Sequence, residues 1–344
     1  MNNIEPSAKR KSIQLTRASK FALDDIETHY IGPRRELPFV ACPVSANIEL
    51  VQWVKANRNH IESQLLLAGG ILFRGFVIGG VERFENVIET HSGSLLDYSY
   101  RSTPRTRVSG RIYTSTEYPP HQTIPFHNEK AYALSWPMKL WFYSVQVAPR
   151  GGETPISDCR RVCKDIPSDI KDCFVRKGLM YVRNYGTGLD LPWQEVFQTS
   201  SKTVVADYCR SADIELEWVD DDQLRTRQRC QVVAQHPKTG ESVWFNQAHL
   251  FHASRLPAEV RDWLLCAYGE EGLPRNVYFA DGSPIDPEML DEISTVYENN
   301  AVVFTWQPGD VLLLDNMLAA HGRRPFVGKR RVVVGMAEPN TIAA

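Results

Sequence analysis

The run Lys139-Leu-Trp-Phe-Tyr-Ser-Val-Gln-Val147 is the strongest constraint on how this chain can fold. It is dense in aromatic and β-branched side chains and closes on Pro149-Arg-Gly-Gly152, a turn by composition, so it reads as a strand. From about Val108 onward, similar short runs recur between turn residues, as an all-β core requires. They include Arg111 to Thr116, Cys230 to Gln235, Ser242 to Asn246, Ala301 to Trp306, Val311 to Asp315 and Arg331 to Val334.

Helices flank this core. Ile48, Val51, Val54, Ile61 and Leu65 recur at helical spacing and stop at Gly69-Gly70, which predicts a glycine-capped helix. Ile71 to Phe76 follows as a short buried strand, and Val81, Phe84, Val87 and Ile88 predict a second helix ending near Gly93. Pro257 to Cys266 and Pro287 to Tyr297 predict two more. The polar, more helical stretch from Asp158 to Val219 interrupts the strands and reads as a lid-like insertion at about 158–225. Residues 1–20 carry Lys9, Arg10, Lys11, Arg17 and Lys20 with little apolar content, the pattern of a flexible arm before a single domain at 21–344.

Charge and cysteines narrow the function. A formal net charge of -2 lacks the basic surplus that a nucleic-acid partner calls for. No apolar run is long enough to span a bilayer, and the first residues lack a hydrophobic signal core, so a cytoplasmic location without membrane partners is expected. Seven cysteines at irregular spacings suit reduced thiols, and Cys159 and Cys163, with no matching second pair, suit burial rather than a metal.

The chemistry centres on Ile124-Pro-Phe-His-Asn-Glu-Lys130. In an extended segment, His127 and Glu129 project to one face and Asn128 to the other. An imidazole and a carboxylate on a shared face are two thirds of a metal site, and His321 is the best third candidate. Such a set leaves the opposite positions open, as in non-haem Fe(II) oxygenases, although zinc hydrolases use similar ligands.

Taken together, His127-Asn-Glu129, Gly151-Gly-Glu-Thr154, and Asp315-Asn316 with His321-Gly-Arg323 ending in Gly328-Lys-Arg-Arg331 resemble the Fe(II)/2-oxoglutarate dioxygenases of the taurine dioxygenase superfamily. Glu129 and the Trp244-Phe-Asn-Gln247 stretch look most similar to the syringomycin-type hydroxylases, which act on carrier-bound aspartate. The resemblance implies a mainly β fold with flanking helices, a double-stranded β-helix or clavaminate synthase-like jelly roll. It also implies Fe(II) held by His127, Glu129 and His321, with 2-oxoglutarate as cosubstrate and O2 as oxidant. The far carboxylate of 2-oxoglutarate calls for a planar two-point cation, which arginine supplies better than lysine. Arg331, directly before the apolar run, is expected in that role with the hydroxyl of Thr154, while Arg330 on the opposite face is expected to be solvated or paired.

The implied reaction is hydroxylation of an aliphatic C–H bond of an amino acid, carried on a peptidyl carrier protein in a nonribosomal or antibiotic pathway. Hydroxylation of a free amino acid, a zinc-type hydrolase and a non-catalytic metal-binding jelly roll are the alternatives, and a homo-oligomer is compatible with all of them. Arg331 and Thr154 would have no task in a zinc hydrolase. Asn246, Gln247 and His249 are candidates for substrate contact, and His121 for the entrance. Arg74 is expected to pair structurally with a carboxylate.

Overall fold

The computed structural model describes residues 23–31, 37–98, 100 and 102–341, so the arm expected at 1–20 lies outside the described residues. Among these, eight strands form the larger sheet. Their order is Ile26–Tyr30, Phe39–Pro43, Gly70–Phe73, Val311–Asp315, Ser135–Gln146, Arg331–Thr341, Ile112–Thr114 and Arg107–Ser109. A smaller sheet runs Ala301–Val302, Ile156–Asp158, Ala319–Arg323 and Ile124–His127.

The alternation of side chains along the strands builds two cores. Val311–Asp315 is buried at every position because both of its faces are covered. Leu312 and Leu314, with Leu140, Phe142, Val332 and Val334, pack against Ile156 and Ala319 of the smaller sheet. Val311 and Leu313, with Trp141, Tyr143 and Val333, pack beneath the helices Leu50–Ala68 and Val81–Ser92. Each fully buried leucine contributes on the order of 2 kcal/mol. The first helix stops as its sequence predicts, at Gly69, whose φ of 74° places it in the left-handed region and whose N–H donates to the Leu65 carbonyl. The result is a jelly roll flanked by helices.

The stretch from Asp158 to Val219 is less helical than its polarity predicts. Between its helices lie Leu179–Tyr185 and Glu215–Trp218, which join Leu224–Cys230 and Arg275–Phe279 in a four-stranded antiparallel sheet. Along Leu224–Cys230 the buried Leu224, Thr226, Gln228 and Cys230 alternate with outward arginines. Arg225 and Arg227 pair with Glu217, and Arg229 pairs with Glu215. Charge that suggests loop or helix is thus the solvated face of a sheet.

Of Ala301 to Trp306 only Ala301–Val302 is paired as strand, yet Phe304 and Trp306 still fill the core between the sheets. Arg74 binds Asp310 through two donors, at 3.0 and 2.7 Å, in the structural role expected of it. All seven cysteines are free. No helix among the described residues is long and apolar enough to cross a membrane.

Candidate active site

The strand Ile124–His127 pairs antiparallel with Ala319–Arg323, and His127 and His321 are direct partners in that register. Their ring centroids are 4.3 Å apart. Burial pushes both imidazoles below the ordinary histidine range, His321 further than His127, with the positive potential of His127 and Arg105 adding to its shift. Both are therefore neutral at physiological pH. Nδ1 of His127 lies 2.9 Å from the Pro125 carbonyl oxygen, to which it can only donate, so Nε2 carries the free lone pair.

Glu129 follows immediately, and its backbone is clamped by the turn ahead of the His321 strand. The Glu129 N–H donates to Oδ1 of Asn316 at 2.7 Å, and Nδ2 of Asn316 donates to the carbonyls of Glu129 and Pro137 at 2.9 and 2.8 Å. Asn128 returns a bond to the Asn316 carbonyl at 2.6 Å. The turn is itself fixed by Asp315, whose Oδ1 accepts from the N–H groups of Met317 and Leu318. The Glu129 carboxylate is buried and ion-paired with Arg105.

As these side chains stand, no three His, Cys, Asp or Glu among the described residues are arranged to hold a metal ion. The donor set nonetheless suits iron: two neutral imidazoles on adjacent strands, one with its far nitrogen fixed by a carbonyl, and a carboxylate bordering the same cavity as His127.

A small cavity of about 30 Å³ opens beside this cluster, bordered by His127, His321, Thr154, Phe142 and Arg330. The Thr154 hydroxyl accepts from Nε1 of Trp306 at 3.0 Å and from Nη2 of Arg330 at 3.5 Å. Nε of Arg330 donates to the Gly152 carbonyl at 2.9 Å. Gly152 allows that approach, since its φ is 78° and a Cβ there would lie 2.9 Å from Cδ of Arg330. Burial and the nearby Arg323 push Arg330 down to about 10, which leaves it a cation at neutral pH.

Arg331, expected to receive the far carboxylate of 2-oxoglutarate, does not border this cavity. Arg331 is exposed, and the strand register slips between Arg331 and Val332. Arg330 and Val332 both border the cavity, so alternation places Arg331 on the other face.

A larger cavity of about 170 Å³ is bordered by Glu129, Arg105, His127, Gln247, Phe251 and Arg275 among others. Of the four substrate candidates, only Gln247 lines it, with its amide donating to the Asn128 carbonyl at 2.5 Å. Asn246 is spent locally on the Val232 carbonyl and the Ala248 N–H, and His249 is buried with Nε2 on the Phe126 carbonyl at 2.7 Å. His121 is exposed and borders neither cavity; its loop is held by Arg323, which donates to the carbonyls of Tyr118, Pro119 and Gln122. No residue of 158–225 lines either cavity; the covering wall comes instead from Gln247, Leu250, Phe251 and Arg275. Arg105 and Arg275 carry no local sequence signal, since each reaches the site by tertiary packing alone.

Comparison with known proteins agrees with this fold. Residues 34–337 match the family described as taurine catabolism dioxygenase TauD, TfdA. The chain is 42% identical over 279 residues to the dapdiamide synthesis protein DdaC of Enterobacter agglomerans, covering 81% of this chain and 85% of that protein. It is 31% identical over 332 residues to a clavaminate synthase-like protein of Arabidopsis thaliana, covering 91% and 96%. In fold it is similar to PvcB of Pseudomonas aeruginosa, with TM-score 0.55 at 12% identity over 93% of this chain and 94% of that one. A taurine dioxygenase from Burkholderia xenovorans gives 0.53 at 15% identity over 93% and 95%.

Proposed function

The chain belongs to the TauD, TfdA family of dioxygenases, and from that premise we propose that it hydroxylates an aliphatic C–H bond of an amino acid carried on a peptidyl carrier protein. It is a 2-oxoglutarate-dependent dioxygenase that uses Fe(II) and O2. The observation that carries the reading is the cross-strand pair His127 and His321 beside Glu129, opening onto a cavity whose far wall is Arg330 and Thr154.

In this reading His127, Glu129 and His321 hold the metal. Arg330, with its planar fork, and the Thr154 hydroxyl receive the far carboxylate of 2-oxoglutarate. Iron with its cosubstrate and dioxygen supplies the oxidising power needed to break an unactivated C–H bond. The protein supplies orientation and dryness: Phe142 and Val332 wall the cosubstrate side, and Gln247 and Phe251 wall the side where the amino acid would lie. Glu129 fills the position that a halide would need, which favours hydroxylation over halogenation.

Two relatives support a biosynthetic setting by their own descriptions, one in dapdiamide synthesis and one, PvcB, in an isonitrile synthetic pathway. The test is to incubate the protein with Fe(II), ascorbate, 2-oxoglutarate and a panel of amino acids, each free and loaded on a carrier. Succinate formation with a mass gain of one oxygen on a carrier-bound amino acid is expected. Oxygen gained by free acids alone would remove the carrier, and no succinate under any condition would remove the hydroxylase.

A further inference from the structure

Arg105 stands at the seam between the two cavities and borders both. Its side chain is only 3% exposed. Nη2 donates to the Glu129 carboxylate and, at 3.3 Å, to the Thr116 hydroxyl, while the guanidinium lies 4.7 Å above the Tyr98 ring. Nε and Nη1 are buried with no hydrogen-bond partner among the described residues.

A guanidinium carries five N–H donors and no acceptor, and leaving buried donors unpaired is costly. A native structure accepts that cost where something else completes the shell. The larger cavity is where such a group could come from. Its other arginine, Arg275, pairs with Asp190 at 2.8 Å and is 32% exposed, so water can serve its remaining donors, whereas those of Arg105 are buried. The demand grows when metal is bound, because whatever share of the Glu129 carboxylate goes to the ion is withdrawn from Arg105. At about 170 Å³ the cavity is smaller than the roughly 300–1,000 Å³ of drug-sized sites, which suits a small acid.

We propose that Arg105 sets the specificity of the larger cavity by receiving a carboxylate borne by the substrate, so that acidic substrates are selected over their neutral amides. This rests on the hydroxylase reading, and it assigns that site a substrate charge.

The test is calorimetric titration of the Mn(II)- and 2-oxoglutarate-loaded protein under nitrogen, so that no turnover is required. The probes are the pantetheine thioesters of aspartate and asparagine, and free L-aspartate and L-asparagine. The wild type is expected to bind the acidic member of at least one pair about tenfold or more tighter than its amide, the scale of a charge-assisted bond. Arg105→Gln should abolish that preference, and Arg105→Lys, which keeps the charge, should restore part of it. A purely structural arginine would instead weaken acid and amide alike. Equal binding of acid and amide by the wild type, binding of none of the four probes, or an unchanged preference in Arg105→Gln would overturn the assignment. Circular dichroism establishes whether the variants fold; should Arg105→Gln fail, the wild-type comparison and Arg105→Lys decide. Failure of the hydroxylase reading shows separately, as absent succinate, while the binding preference stays readable.

Discussion

His127 and His321 meet as cross-strand partners with their rings 4.3 Å apart, though long stretches of chain separate them. If both are metal ligands, His127→Ala or His321→Ala should lower iron-dependent succinate formation by at least about 10²-fold, the upper range seen even for outer partners of metal ligands. Wild-type turnover in either variant, with the metal content measured alongside, would remove that residue from the ligand set.

Arg330 and Arg331 should differ sharply. Truncating a buried cation that holds a carboxylate costs about 2–5 kcal/mol, so Arg330→Ala should raise KM for 2-oxoglutarate by roughly 30-fold or more. Arg331, exposed on the other face, should stay within about 0.5 kcal/mol of wild type on alanine substitution. Steady-state kinetics with varied 2-oxoglutarate checks both, and the reverse ranking would return the role to Arg331.

Asn316 joins the Glu129 segment to the turn before the His321 strand. Asn316→Ala leaves the Glu129 N–H and the carbonyls of Glu129 and Pro137 without this partner. At about 1–3 kcal/mol for a buried unsatisfied group, urea denaturation should show a loss of several kcal/mol. Calorimetry should also show weaker Mn(II) binding. Unchanged stability and metal affinity would make the clamp dispensable.

Acid should destabilise the protein through His91. Burial, with the charge of Lys139, depresses this histidine to about 3 from an ordinary 6.5. Below pH 6.5 the unfolded chain takes up a proton that the folded chain refuses, so stability falls as pH drops from 6.5 toward 3, by at most ~1.4 kcal/mol per pH unit. Glu62 adds a second loss. Despite its burial, Lys139 and Lys238 hold it at about 2 against an ordinary 4.5, so its contribution disappears as pH falls through that lower window. Urea melts of wild type and His91→Gln at pH 7, 6, 5 and 4 should diverge in slope; parallel curves would dismiss the histidine.

The central strands of the larger sheet were legible because Val311–Asp315 and Ser135–Gln146 are buried on both faces and read as apolar runs. The Ala319–Arg323 strand was not, because Ala, Gly, His and Arg carry little strand signal and only pairing on both edges defines it. Thr154 was visible beside its glycines. Choosing between Arg330 and Arg331 required knowing which face of their strand meets the cavity, which no local composition reveals. Arg105 was silent for a plainer reason: its partners Glu129, Thr116 and Tyr98 come from separate parts of the chain.

That pairing of one strand from the middle of the sequence with another from near its end also orders events in time. A nascent chain owns its first imidazole long before its second, so a competent centre awaits the closing of the smaller sheet. If these two imidazoles hold the iron, its capture becomes a certificate of completed folding, and a half-made protein is spared a redox-active ion it could not yet control.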